Sequence, residues 1–405
     1  MALRTAPRRR RRRLPVDVPG PDLRPEDAAV SRNPVALERR TGAFRPPTFQ
    51  TLPAAVAANV AEIRARTQST IIALVKADGY GHGAATVARA AVAAGAEWLG
   101  TTSIAAASEL RAAGLTVPIL TWLHSSGIDA GAAVAGGIDV AVGSVDELDA
   151  LVSQAASTVR VHLHMDTGMA RGGCPRSRWK ELVGLARRGQ QARRIRVAGV
   201  MGHLPLADHA DPLANAPAVS EMEEARRAVR EAGLGSPPAH LAATSGTLTD
   251  PATHFDMVRV GAGLVGIDPS GTVKLHGASR LTAPIAHTAA VEAGTPVGYG
   301  GAYVTERATH LSILPVGYAD GIPRGCSPEA GVEIGGSRFP VVGRVSMDQI
   351  VIDTGAAPFP VGTSATVFGP DGGATPTVQD WARWAGTIPH TIVTGIGPRV
   401  RRSVA

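Results

Sequence analysis

Ile71-Ile72-Ala73-Leu74-Val75-Lys76-Ala77-Asp78-Gly79-Tyr80-Gly81-His82-Gly83 is the stretch whose reading decides the fold. An uninterrupted apolar run from Ile71 to Val75 predicts a short strand buried on both faces, the kind found in parallel sheets. Lys76 follows where that strand should end. Three glycines then alternate with Tyr80 and His82, and Ala84 to Ala94 reads as a helix. Strand, lysine, glycine turn and helix put a primary amine at the C-terminal mouth of a parallel sheet, where α/β barrels and open sheets keep their sites. Most lysines in such loops are simply solvated. This one abuts the apolar run, and the turn beyond it is built for close backbone approach, so the amine is placed to lose its proton and form a Schiff base.

Outward from this stretch, short apolar segments alternate with helical ones. Leu52 to Arg66 has apolar residues at helical spacing. Strands are expected at Trp98–Thr102, Val117–Trp122, Ile138–Val142, Val159–His164, Arg196–Met201, His240–Ala243 and Met257–Val260. Helices are expected at Ile104–Ala113, Val145–Ala156, Ser177–Arg188 and Val219–Ala232. Eight strands alternating with helices predict a (β/α)8 barrel of the TIM type, although the period alone also allows a doubly wound sheet. Past Leu281 the Ala/Arg-rich texture gives way to Val, Ile, Thr and Gly, with helical character only at Val378–Trp384. This predicts a second, mainly β domain. The expected division is a basic, proline-rich tail over 1–47, a barrel over 48–280 and a β-rich domain over 281–405.

The chain has 405 residues, 44% of them hydrophobic, which suits a globular protein with a sizeable core. No apolar run approaches the roughly 20 residues of a membrane span. The 2 cysteines, Cys174 and Cys326, make no disulfide framework, and a reducing cytoplasm is expected. No Cys/His spacing predicts a metal site. The net charge of +7 comes from Arg4 and the six arginines at 8–13. Such a run is able to bind nucleic acid or a membrane surface, but in a proline-rich segment with no apolar stretch behind it a disordered tail, or a start placed too early, is preferred.

Val75-Lys76-Ala77-Asp78-Gly79-Tyr80-Gly81-His82-Gly83 resembles the cofactor-lysine motif of the pyridoxal 5'-phosphate-dependent alanine racemase family. Other segments resemble that family in the same order: Asp166-Thr167-Gly168-Met169-Ala170-Arg171, Val258-Arg259-Val260-Gly261, Val297-Gly298-Tyr299-Gly300, Gly317-Tyr318-Ala319-Asp320-Gly321 and Arg344-Val345-Ser346-Met347-Asp348. The resemblance implies that Lys76 binds the cofactor and serves one face of the substrate as a base. Tyr299, contributed by the partner subunit of a homodimer, serves the other. A phenol ordinarily titrates near 10, so such a tyrosine needs a neighbouring cation or relay; Tyr318 and Arg324 are its implied supports. Arg171 is implied to meet the cofactor's phenolic oxygen and the substrate carboxylate, and Met347 to border the latter. Arg259 is implied to face the pyridine nitrogen, and His203 to sit beside the ring. A guanidinium gives up no proton, so the ring stays a weaker electron sink, which favours simple proton removal and return. Gly261-Ala262-Gly263-Leu264-Val265-Gly266 satisfies G-x-G-x-x-G, yet Asp268-Pro269 breaks the chain where a dinucleotide site needs a long helix. The Gly261 and Ala262 amides are read instead as phosphate donors, joined by the Ser245 and Tyr80 hydroxyls. His240 is read as structural.

Three positions depart from the family pattern. His164 stands where a lysine, often carbamylated, holds the substrate-binding arginine. Thr244-Ser245 replaces Asn-Ser. His390 replaces a tyrosine that reaches the phosphate and narrows the entrance, which implies a wider pocket. The expected function is racemisation of alanine by Lys76 and Tyr299 acting on a small amino acid. The alternatives are a racemase for a larger or more polar amino acid, and a pyridoxal-phosphate-binding relative without turnover.

Overall fold

Burial on both faces is what drives residues 70–75 into the centre of the molecule. In the computed structural model, which describes residues 46–124, 127–208, 213–370 and 372–405, Ile71 to Val75 are all buried. They belong to a closed parallel barrel of β2 (Thr70–Leu74), β3 (Trp98–Thr101), β4 (Ile119–Thr121), β5 (Ile138–Val142), β6 (Val159–His164), β7 (Ile195–Met201), β8 (Ala239–His240) and β9 (Met257–Val260), β1 being the earlier strand Thr48–Thr51. β9 pairs back onto β2, Thr70 opposite Met257, so the sheet is a barrel and not doubly wound. Alternation sorts the side chains. Ile71, Ala73 and Val75 join the larger core under the outer helices. Ile72 and Leu74 join a second cluster with Leu120, Ala141, Met201 and Met257, the interior of the barrel.

The connecting helices carry their own start signals. Pro53 stands at the first turn of Pro53–Arg64, where its missing N–H is no loss. Ser103 and Ser144 accept from Ala106 N and Glu147 N to cap Ile104–Ala112 and Val145–Gln154. Two short helices were not expected, Ala130–Ala135 and Thr244–Thr249, each too brief to show a helical period.

The second sheet is where the expected division needs correction. It has nine strands in the order β11-β14-β17-β16-β15-β18-β10-β1-β19, where β10 is Ser279–Pro284, β11 His287–Val291, β14 Thr309–Leu314, β15 Gly331–Ile334, β16 Ser337–Val342, β17 Ile350–Gly355, β18 Ser364–Phe368 and β19 Arg401–Val404; β12 (Pro296–Val297) and β13 (Tyr303–Val304) form a separate ribbon. Residues 48–51, assigned above to the barrel, are a strand of this sheet, antiparallel to β10 and parallel to β19. Phe49, fully buried, meets Phe368 edge-on across the sheet core. The helix Val378–Trp384 is present, and a second, Pro389–Thr394, follows it unforeseen. The tail expected over 1–47 lies, up to residue 45, outside the described residues. Among the described residues no helix is long and apolar enough to cross a membrane.

The two parts meet at the lysine loop. Gly81 has φ +79°, and a Cβ there would lie 2.3 Å from the Val393 carbonyl oxygen. Gly81→Ala is therefore expected to destabilise the protein by about 2 kcal/mol or more. Gly325→Ala, with nothing within 4 Å and no left-handed backbone, should change little. Comparing the two melting temperatures checks this; equal values would show that the contact is yielding.

Candidate active site

Beyond β2 the chain does something costly. Ala77, Asp78, Gly79 and Tyr80 all have left-handed φ, at 50°, 53°, 61° and 56°. Each non-glycine residue in that region costs roughly 1–2 kcal/mol. The turn is held by Gly79 N to Val75 O, Gly81 N to Ala77 O and Gly83 N to Asp78 O, each 2.9 Å, and by the Asp78 carboxylate accepting from Ala84 N at 2.8 Å. Its effect is to present Lys76 and Tyr80 to one cavity of about 820 Å³ at the C-terminal mouth of the barrel. Lys76 Nζ is 5.9 Å from the centre of the Tyr80 ring. Burial, then Arg171 and Arg259, push the Lys76 amine below the usual lysine range. That is what a nucleophilic amine requires.

Arg171, His164, His203, Arg259, Ser245 and His390 line the same cavity. Arg171 ends a loop that Asp166 organises by itself. One carboxylate oxygen accepts the amides of Gly168, Met169 and Ala170 at 3.1, 3.0 and 3.1 Å. Thr167 Oγ1 donates to His203 O at 2.6 Å and accepts from His203 N at 3.0 Å, tying this loop to the next strand end. Arg171 itself is exposed and makes no hydrogen bond or ion pair with the described residues. His164 does not hold it. Burial, with Arg259 adding to it, brings His164 down to about 4, so it is neutral. The expected substitute for the family's lysine is thus present in the wall but makes no bond to the arginine.

Arg259 is the opposite case. It is fully buried, and burial pushes it down to about 10, which leaves it a cation at neutral pH. Nη1 donates to His240 Nδ1 at 2.8 Å and His240 O at 2.9 Å; Nη2 donates to Gly202 O at 2.7 Å, His203 Nδ1 at 3.2 Å and Leu241 O at 3.2 Å. All four terminal hydrogens are thus engaged, and the Nε–H alone is left for whatever enters. Because His203 Nδ1 accepts, its proton sits on Nε2. Burial, Arg259 and Arg171 lower His203 to about 3, so it stays neutral.

The expected phosphate donors are partly redirected. The Gly261 amide donates to Thr244 Oγ1 at 3.3 Å, as does Gly263 N at 3.1 Å. The hydroxyl that replaces the family's asparagine has captured it, so Gly261 is not a free donor. Gly261 has a different use: a Cβ there would lie 2.1 Å from the Tyr80 hydroxyl. Burial raises the Tyr80 phenol above its usual range, keeping it a donor. The Ser245 hydroxyl donates to the Asp208 carboxylate at 2.6 Å, in a Leu-Ala-Asp loop that no sequence signal marks. Ala262 also lines the cavity. His390, from the unforeseen helix Pro389–Thr394, faces Tyr80 with ring centres 6.0 Å apart, and its buried Nδ1 has no partner. Burial and then Lys76 lower its pKa, with Asp208 opposing.

The residues expected from the β domain lie elsewhere. Tyr299, 70% exposed, Met347, 57%, and Tyr318, 40%, are absent from the wall of this cavity. They are nonetheless gathered: Tyr318 N donates to Ser346 O at 3.0 Å and Ala319 N to Met347 O at 2.8 Å, while the Gly298–Gly301 turn that carries Tyr299 lies over Gly343 and Arg344. Arg324 is exposed and makes no hydrogen bond or ion pair with the described residues.

Comparison with known proteins agrees with this architecture along most of the chain. The family described as "Alanine racemase, N-terminal domain" matches residues 53–269, and "Alanine racemase, C-terminal domain" matches residues 278–404. The alanine racemase of Salinispora tropica is 40% identical over 348 residues, 85% of this chain and 94% of that protein. That of Beutenbergia cavernae is 42% identical over 358 residues, 86% of this chain and 95% of that protein. Among solved structures, the alanine racemase from Streptomyces coelicolor A3(2) superposes with a TM-score of 0.85 at 38% identity, covering 89% of this chain and 98% of that one. With both family domains matched and these relatives covered nearly end to end, the chain belongs to the alanine racemase family.

Proposed function

We propose that this protein is an isomerase that interconverts L- and D-alanine, using pyridoxal 5'-phosphate and a site completed by a second copy of the chain. The observation that carries the reading is the separation of the two bases. Lys76 lies in the barrel cavity with a depressed amine, and Tyr299 stands 70% exposed on the β domain, outside that cavity's wall.

The residues present fit the cofactor. Gly261 leaves open a cradle under the Tyr80 hydroxyl that a Cβ would fill, and an anion, the Asp208 carboxylate, already rests on the Ser245 hydroxyl that a phosphate would need. Tyr80, Ser245 and Ala262 would hold the phosphate; Gly261 shapes the site without donating. Bound pyridoxal phosphate supplies the electron sink that makes the α-hydrogen of an amino acid acidic. Lys76 anchors the cofactor and afterwards is free to take or return a proton on its own face. Tyr299 of the partner subunit does the same on the opposite face. Arg259 offers its Nε–H to the ring nitrogen and, being a permanent cation, gives no proton up. Arg171 receives the substrate carboxylate, with Met347 of the partner subunit at its border. Tyr318 and Arg324 position the tyrosine. His203 lends a fixed Nε2–H beside the ring. His164 and His390, shorter or uncharged where the family has lysine and tyrosine, shape the wall. We place the protein in the reducing cytoplasm, in keeping with its two free cysteines, Cys174 buried and Cys326 half-buried.

Lys76→Ala is expected to abolish the visible absorbance of the bound cofactor and all turnover. Tyr299→Phe should keep the absorbance and lose roughly a hundredfold or more of racemisation. Co-expressed, the two variants should recover about a quarter of wild-type activity, since half of the dimers carry one intact site of two. No recovery would mean that Tyr299 serves its own chain or none.

Arg171 is one of the cations that depress the Lys76 amine. Arg171→Met removes it, so the amine pKa rises and the free-amine fraction at a given pH falls. The rate of pyridoxal phosphate uptake by the apoprotein, followed against pH by absorbance, should have its midpoint moved to higher pH. An unmoved midpoint would mean that burial and Arg259 set the amine without Arg171.

A further inference from the structure

We propose that Asp139 and His162, deep in the barrel and outside the wall of the cavity, are positioning residues that fix the proton on His240 and thereby hold Arg259 with its Nε–H toward the cofactor. The inference rests on the reading of Lys76 and Arg259 given above.

The barrel interior carries an unbroken chain of polar contacts. Arg160 Nε donates to Asp139 Oδ1 at 2.7 Å. Asp139 Oδ2 lies 3.1 Å from His162 Nε2, His162 Nδ1 lies 2.8 Å from His240 Nε2, and His240 Nδ1 lies 2.8 Å from Arg259 Nη1. Asp139 and Arg160 each stand one residue into their strands, at the N-terminal end of the barrel, and Arg259 stands near the opposite end of β9, so the chain climbs the interior toward the site.

Its two ends have fixed roles. A guanidinium has only donors. Asp139 is an acceptor: burial opposes its charge, but the hydrogen bonds from His162 and Arg160 carry its pKa below the usual carboxylate range. Between them, only one arrangement satisfies every contact. Arg259 donates to His240 Nδ1, so His240 carries its proton on Nε2. That proton points at His162 Nδ1, so His162 carries its own on Nε2 and gives it to Asp139. Protonating either ring a second time, or reversing either tautomer, sets two N–H groups against each other at 2.8 Å. Burial and Arg259 together hold His240 well below the ordinary histidine range, in keeping with a neutral ring.

The fold makes room for this chain. A Cβ at Gly199 of β7 would lie 2.2 Å from His162 Nδ1, and the register of β6 against β7 shifts between Val161 and His162. The indole of Trp98 closes the other side of His162, edge-on at 5.9 Å.

The test reads the tautomers directly. In 15N-histidine-labelled protein loaded with pyridoxal phosphate, His162 and His240, assigned by their loss in His162→Gln and His240→Asn, should both show Nε2 protonated and Nδ1 bare from about pH 6 to about pH 9. His162→Leu leaves the His240 Nε2–H without an acceptor. It should mix the His240 tautomers, shift the cofactor's visible band and lower kcat roughly tenfold or more with KM changed less. His162→Gln, which keeps one donor and one acceptor, should retain the His240 tautomer and restore most of kcat. A merely structural network would let both variants fall together with their melting temperatures and leave the His240 nitrogens alone. His240 protonated on Nδ1 or on both nitrogens in the wild type would overturn the proposal, even if His162→Leu does not fold. So would unchanged kcat and absorbance in a folded His162→Leu. Repeating the nitrogen measurement without cofactor separates this outcome from a failure of Lys76 to bind it.

Discussion

Arg259 is a cation almost wholly removed from water, and much of the barrel is arranged to make that tolerable. Leaving such a charge without partners would cost several kcal/mol, so each terminal hydrogen must meet an acceptor. The carbonyls of Gly202, His240 and Leu241 answer this because β7 and β8 end opposite the start of β9, Met201 beside His240 and His240 beside Met257, so the backbone just beyond them falls beside Arg259. Short strands are therefore part of the design: β8 is only two residues long, and the backbone beyond it is free to turn its carbonyls inward. The buried Asp139 carboxylate compensates the charge from the other end of the interior, with two neutral rings between.

The lysine turn depends on a different constraint, the docking of the β domain. Three non-glycine residues in left-handed conformation are sustained by contacts that come from far along the chain. Thr51 Oγ1 donates to His82 O at 2.7 Å, and Arg402 Nη1 donates to Gly81 O at 2.8 Å. Phe49 lies edge-on to His82, and the Arg402 guanidinium lies 4.6 Å from the Phe49 ring. β1 and β19, the first and last strands, thus clamp the loop that carries the reactive amine. Strain of a few kcal/mol near a functional group is stable only when its surroundings over-determine it. Here the surroundings are the two ends of the described chain.

How much of this was legible follows from distance along the sequence. The barrel was readable because each strand is a local apolar run and each helix has a local period. Lys76, Arg171 and Arg259 were readable because motifs surround them. β1 is not legible as a strand of the second sheet because its partners, near residues 280 and 402, are remote, and four residues carry no sheet signature. The helix bearing His390 is too short for a period to show. Thr244 is visible in the sequence as a departure from the family pattern, but its capture of the Gly261 amide depends on how two loops meet, which neither loop encodes alone. The tautomer chain is the extreme case: His162 and His240 stand 78 residues apart, each inside an ordinary-looking apolar strand.

The electrostatics of the cavity fix what kind of molecule it suits. Lys76, Arg171 and Arg259 face it, and the histidines His203 and His164 add no charge, since burial among those same cations holds them at about 3 and about 4. His390, the third histidine of the wall, is likewise held below its ordinary range by burial and then by Lys76, with Asp208 opposing. Lys76, Arg171 and Arg259 thus give the cavity three basic groups, which suit an anionic cofactor and an anionic substrate. The three carboxylates in its wall are all spoken for, Asp166 by three amides, Asp268 by the amides of Ser270, Thr272 and Val273, and Asp208 by the Ser245 hydroxyl. Asp208 is itself exposed, so its bond to the Ser245 hydroxyl is one that solvent can replace.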